Sequence, residues 1–171
     1  TAVAKSLHWL MVLLILGMLA LGFYMTDLPL SPDKLQYYAW HKWAGVSVFL
    51  LVWLRLAWRL MFSPPALPAD ISNAVKFAAH AGHWALYALM VVIPLSGWLM
   101  SSAKGFQTVW FGVLPLPDLL AKDKALGDQL AQLHWALNVG LLLLIAGHAA
   151  AALWHHFVHK DDTLRRMLPA R

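Results

Sequence analysis

The chain has 171 residues, of which 61% are hydrophobic and only 12% charged, with a net charge of +5 and no cysteine. A soluble domain is roughly a quarter charged, so this composition argues against a water-soluble globule, and the length has room for about four membrane spans of roughly 20 residues. The lack of cysteine excludes structural disulfides, thiolate-held iron–sulfur and zinc centres and the C-x-x-C-H attachment of c-type haem, leaving nine histidines as candidate cofactor ligands.

The first predicted span covers residues 7–25, a charge-free run too long for the apolar region of a signal peptide, with His8 near its start. The connection after it holds Asp27, Asp33 and Lys34 and is poor in positive charge. A second span, 38–61, carries His41 near its start and Arg55 and Arg59 near its end; Ser63-Pro64-Pro65 then marks a turn, followed by Lys76. The third span, 77–102, opens with His80 and His83. The connection that follows contains Leu114-Pro115-Leu116-Pro117, and Lys104, Lys122 and Lys124 offset Asp118, Asp123 and Asp128. Within it, residues 117–132 read as a short surface helix. The fourth span, 133–158, carries His134 and His148, and the tail holds Lys160, Arg165, Arg166 and Arg171. Lys and Arg stay on the cytoplasmic side, so both termini are expected there. Thr1 is not an initiator methionine, so a few cytoplasmic residues are expected to precede it. Trp9, Trp40, Trp43, Trp110 and Trp135 fall at span ends, as an interfacial belt of lipid anchors would.

Histidine inside an apolar span is a functional signal, because lipid offers its nitrogens no partner. The depths pair. His8 starts a span entering from the inside, while His41 and His134 start spans entering from the outside. His148 lies 14 positions beyond His134, about 40° around the helix and about 21 Å along it. One face of the fourth helix thus offers two ligands at two depths, which predicts two stacked b haems: His41 with His134 outside, His8 with His148 inside. His80 and His83 compete with His8 for the inner position. Gly45, Gly140 and Gly147, with the alanines at 149–152, are expected to let helices pass close to the macrocycles. Arg55, 14 positions after His41, shares its face at the inner depth, and with Arg59 is a candidate partner for haem propionates. His155, His156 and His159, together with His83 and Lys76, could line an inner quinone pocket, histidine supplying the proton that quinone reduction needs.

These residues also carry a resemblance through nearly the whole chain. Ser6-Leu7-His8-Trp9-Leu10, His41 with Gly45 and the Arg55/Arg59 pair, and His80, His83, Tyr87, Pro94 and Gly97 lead to the most specific block. That block is His148-Ala149-Ala150-Ala151-Ala152-Leu153-Trp154-His155-His156, continuing through Lys160-Asp161-Asp162-Thr163-Leu164 to Arg166-Met167-Leu168-Pro169. The sequence resembles the bacterial cytochrome b561 family of small four-helix di-haem membrane proteins. The resemblance implies two haem b groups on His8, His41, His134 and His148, exchange of electrons with ubiquinone or a related quinone, and a multi-pass location in the bacterial inner membrane. It also implies superoxide as a candidate periplasmic donor, an anion that Lys42, Lys104, Lys122 and Lys124 could steer.

The expected protein is therefore an all-α oxidoreductase, one four-helix transmembrane domain surrounded by lipid, taking electrons from a periplasmic one-electron donor and reducing quinone, with no nucleic-acid partner. The runner-up is an anchor subunit passing electrons between a partner dehydrogenase or hydrogenase and the quinone pool. A histidine-lined metal transporter without haem and a soluble four-helix cytochrome are the remaining alternatives.

Overall fold

The computed structural model describes residues 1–63 and 71–168. The predicted turn at Pro64-Pro65, and Pro169 and Arg171 of the tail, lie outside the described residues. Four helices dominate: α1 (Ala2–Thr26), α2 (Pro32–Met61), α3 (Asn73–Ala103) and α4 (Lys124–Trp154). All four are long and apolar enough to cross a membrane. α1, α2 and α3 contain their predicted spans and extend them by about one to two turns, while α4 begins nine residues before its predicted span and gives way at His155, short of the predicted end at 158; each start lies where a capping residue stands outside the apolar run. Thr1, Ser31, Ser72 and Asp123 accept hydrogen bonds from the backbone N–H groups of Ala4, Lys34, Val75 and Leu126, and Pro32 occupies the first turn of α2.

The closely packed seams are α1 on α2, α2 on α3 and α3 on α4. Little side-chain surface is removed inside this bundle: Leu13 is 71% and Leu143 68% exposed, as suits helices whose outer faces meet acyl chains rather than one another. The buried core is a thin layer of Met11 from α1, Val48 and Val52 from α2 and Tyr87 and Met90 from α3. It lies between the depth of His8 and that of His41, separating the two histidine levels.

The connection from α3 to α4 departs from expectation. Residues 117–132 do not form a separate surface helix: 117–123 are non-helical, and from Lys124 the chain runs as α4 without a break. The Asp123 carboxylate supplies the cap at 3.1 Å, and nothing between Lys124 and Trp154 breaks the helix. Before this comes a small antiparallel hairpin, β1 (Val109–Trp110) and β2 (Leu114–Pro115), with Trp110 opposite Leu114. Its turn holds Phe111 and Gly112 at φ 51° and 71°.

Tryptophans hold the hairpin down. The Trp43 indole N–H donates to the Val109 carbonyl at 2.7 Å, and that of Trp110 to the Trp43 carbonyl at 3.2 Å. The Lys42 ammonium donates to the Phe106 carbonyl at 3.0 Å. Trp43 and Trp110 are thus structural pins, a role the expected interfacial belt did not include, while Trp40 and Trp135 remain 48% and 62% exposed.

At the other end, α4 passes into a π-helical turn (His155–His159) closed by Lys160 in the left-handed region. The tail then folds back on α1. The Met167 carbonyl accepts from the Trp9 indole at 2.7 Å and the Leu168 carbonyl from the Lys5 ammonium at 2.6 Å. Within this strap the His155 imidazole meets the Asp161 carboxylate at 2.5 Å.

Candidate functional site

α4 carries both levels of the site. His134 and His148 project from it toward the bundle, 14 residues apart, and each meets an imidazole from another helix. At the outer level His41 of α2 faces His134 with ring centroids 6.4 Å apart and planes at 80°. At the inner level His8 of α1 faces His148, again at 6.4 Å, with planes at 68°. Two imidazoles on opposite sides of one metal ion, each nitrogen about 2 Å from it, have ring centroids roughly 6 Å apart. α1 and α4 do not share one of the close seams, so the inner pair faces across a gap between helices. Among the described residues no three or more His, Asp or Glu side chains converge as they would to chelate a bare ion. Pairs of neutral imidazoles suit a metal whose other four positions are filled by a planar macrocycle.

Two further features fit a haem. A cavity of about 990 Å³ surrounds the outer pair, walled by all four helices and roofed by residues 105–109; this is at the upper end of cofactor pockets, which run to about 1,000 Å³. The Nδ1 atoms of His8 and His41 are buried without a hydrogen-bond partner, although His41 lies close enough to the Met18 carbonyl to feel it. Buried imidazole nitrogens are costly to leave unpaired, which marks these two rings as placed for something other than packing.

The histidine rings are seated by glycines. A Cβ on Gly22 of α1 would lie 3.3 Å from the His41 Cε1, and one on Gly97 of α3 3.1 Å from the His134 Cε1. Gly22 was not singled out by sequence reasoning, and Gly97 only by resemblance; both lie at the right depth for the outer level, which was the available signal. Gly140 and Gly147 meet no atom within 4 Å, and Gly45 faces the Met18 side chain.

Of the rivals for the inner position, His83 has its ring centroid 5.4 Å from that of His148, about 1 Å closer than His8 and short of the roughly 6 Å that separates two imidazoles on opposite sides of one metal ion. His80 is exposed on the same helix. Arg55 lies within electrostatic reach of His8, His83 and His148, the inner depth expected for it. Arg55 and Arg59 flank the buried Tyr87 ring, with guanidinium carbons 5.9 and 5.8 Å from its centroid.

His155 is turned to Asp161 and stacks on His159 with ring centroids 5.4 Å apart, so it is engaged within the C-terminal strap. Burial works to raise the Asp161 pKa, but hydrogen bonds from Thr163 and His155 hold the carboxyl well below the usual carboxylate range, at about 2.

The outer cavity is lined by Lys34, Lys42 and Lys104. Lys104 is paired with Asp128 at 3.3 Å, and Lys34 donates to the Thr26 and Leu28 carbonyls. Sequence reasoning counted Lys34 only as a topology charge, because its position over the cavity depends on how α2 begins.

A family model described as prokaryotic cytochrome b561 matches residues 1–170. Among curated proteins, the chain is 36% identical to a cytochrome b561 homolog 2 of Escherichia coli (strain K12), over 97% of this chain and 89% of that protein. It is 30% identical to a protein of Yersinia pestis named as a probable superoxide oxidase CybB, over 97% of this chain and 93% of that one. Identity to a cytochrome b561 homolog 1 of Escherichia coli (strain K12) is 35%, over 77% of this chain and 74% of that protein.

Proposed function

The chain belongs to the prokaryotic cytochrome b561 family, and is thus a haem b-binding electron-transfer protein of the bacterial inner membrane; within that frame we propose a two-haem wire that takes electrons from superoxide at the periplasmic side and delivers them to quinone near the cytoplasmic side. The observation that carries this reading is the repetition of one ring-pair geometry, 6.4 Å between centroids, at both levels of α4. Held there between two imidazoles, a haem would supply one-electron transfer and leave no open coordination site for oxygen.

The protein's own groups do the rest. His41 with His134 and His8 with His148 would hold the two groups, at levels set by the rise of about 21 Å between His134 and His148 along α4. The layer of Met11, Val48, Val52, Tyr87 and Met90 keeps water out of the space between them. Lys34, Lys42 and Lys104 place positive charge over the outer cavity, which raises the local concentration of an anion such as superoxide. Arg55 and Arg59 offer cations to the propionates of the inner haem. His83 lies beside the inner pair and supplies a proton donor for a reduced quinone, whereas His155 is held by Asp161 in the strap. With the positive-inside pattern, both termini face the cytoplasm. An anchor role for a partner dehydrogenase is less supported, because the α3–α4 connection is folded back on its own helices.

The test is haem per chain from the pyridine haemochrome assay, with superoxide-driven quinone reduction by the loaded protein. Two haem b groups are expected in the wild type and one in each of His134→Ala and His148→Ala. A wild-type haem content in both variants sinks the ligand assignment, and loaded protein that does not reduce quinone with superoxide sinks the proposed donor.

A further inference from the structure

The two histidines of the outer pair differ in what lies behind them. The His134 Nδ1 is 2.8 Å from the Ser96 hydroxyl oxygen, and the same hydroxyl donates to the Ile93 carbonyl at 2.7 Å. A serine has one proton to give. Since it is committed to Ile93, Nδ1 of His134 must be the donor to Ser96, and the lone pair of this tautomer sits on Nε2. Ser96 is only 4% exposed, so the chain from His134 through Ser96 to Ile93 is shielded from water. The Nδ1 atoms of His41 and of His8 are buried with no hydroxyl behind them, and His41 is near only the Met18 carbonyl.

Local sequence makes the arrangement available. Pro94 stands inside α3, and a serine two residues later can bond the carbonyl three residues back. Gly97, next in the chain, clears the room the imidazole needs. Thus Ile93, Ser96 and Gly97 form a single seat for the His134 ring.

Resting on the two-haem reading above, we propose that Ser96 is a positioning residue that fixes the His134 tautomer and makes Nε2 a stronger donor, biasing the outer haem toward its oxidised state relative to the inner one. A hydrogen bond to the far nitrogen of a ligating imidazole raises its basicity, and a more basic ligand favours ferric over ferrous iron. The outer haem then has the lower potential, and electrons arriving there pass inward. Ser96 thereby sets a direction in the wire.

Redox titration of haem-loaded protein in detergent tests this, followed in the visible bands. Ser96→Ala is expected to raise the potential of one haem and leave the other in place. The move should be on the order of tenfold in the ferric-to-ferrous preference, taking the low end of ligand-support effects, or about 59 mV for a one-electron couple. Ser96→Thr, which keeps the hydroxyl, should restore the wild-type value, and in a His148→Ala background the remaining haem should be the one that moves. Two unmoved potentials, or an equal move in both, overturn the role. Should Ser96→Ala shed a haem, Ser96→Cys is titrated instead: it keeps a weaker acceptor, and an unmoved potential there overturns the role too. Fewer than two haems in the wild type instead defeats the reading on which the proposal rests.

Discussion

Gly97 and Gly22 stand where a methyl group would press on an imidazole at 3.1 and 3.3 Å, closer than a comfortable carbon contact. Gly97→Ala must therefore move either α3 or the His134 ring, and the ring is held by Ser96. We expect Gly97→Ala to lower haem content from two toward one per chain while leaving the inner haem's spectrum intact, as measured by haemochrome assay and reduced-minus-oxidised spectra. Equal loss of both haems would show that the glycine acts on bundle packing rather than on the ring. At this same scale Arg55 and Arg59 were recognisable from sequence as inner-depth cations, but their shared partner Tyr87 was not, because a ring flanked by two charges on another helix leaves no local pattern.

Among the elements, the C-terminal strap does most to tie distant parts of the chain together. It closes on Asp161, whose carboxyl is held at about 2 against an ordinary 3.8, and on the carbonyls that receive Trp9 and Lys5. An acid with a lowered folded-state pKa stabilises above its unfolded value and loses that contribution as pH falls through the folded one. The Asp161 contribution is accordingly full above about pH 4 and lost on approach to pH 2. Amide exchange of residues 161–168, followed from neutral pH downward, should show protection persisting until that window. Asp161→Asn should lose protection already at neutral pH, and Trp9→Phe should weaken the strap by about 1 kcal/mol, the worth of one hydrogen bond. Protection that falls in step in the wild type and Asp161→Asn would assign the closure to other contacts. The α3–α4 connection shows the limit of reading elements from sequence. Its prolines and balanced charges marked a loop correctly, yet the hairpin is pinned by Trp43, Trp110 and Lys42, contacts more than 60 residues apart in the chain that no local periodicity encodes.

For the whole molecule, the decisive property is which way the bundle sits. A chain without cysteine allows the orientation to be read with single introduced thiols. Val113→Cys, 84% exposed at the hairpin, should react with an impermeant maleimide added outside intact spheroplasts. Val3→Cys, 43% exposed at the start of α1, should react only after permeabilisation. The reverse pattern would place the outer cavity and its lysines on the cytoplasmic side and exclude a periplasmic donor there.

Four spans, their approximate limits, the charge asymmetry and the 14-residue histidine spacing were all legible in the sequence, because hydropathy, charge and helical repeat are properties of neighbouring residues. The family was legible too, through motifs spread over nearly the whole chain and matched by the family model over residues 1–170. The seating of the rings required the folded chain. Gly22 lies against His41, Ser96 behind His134 and His83 beside His148, and each of these meetings joins two helices. Their rotation about their axes is settled only when whole faces pack, so a residue's depth can be counted along the sequence while its partner cannot.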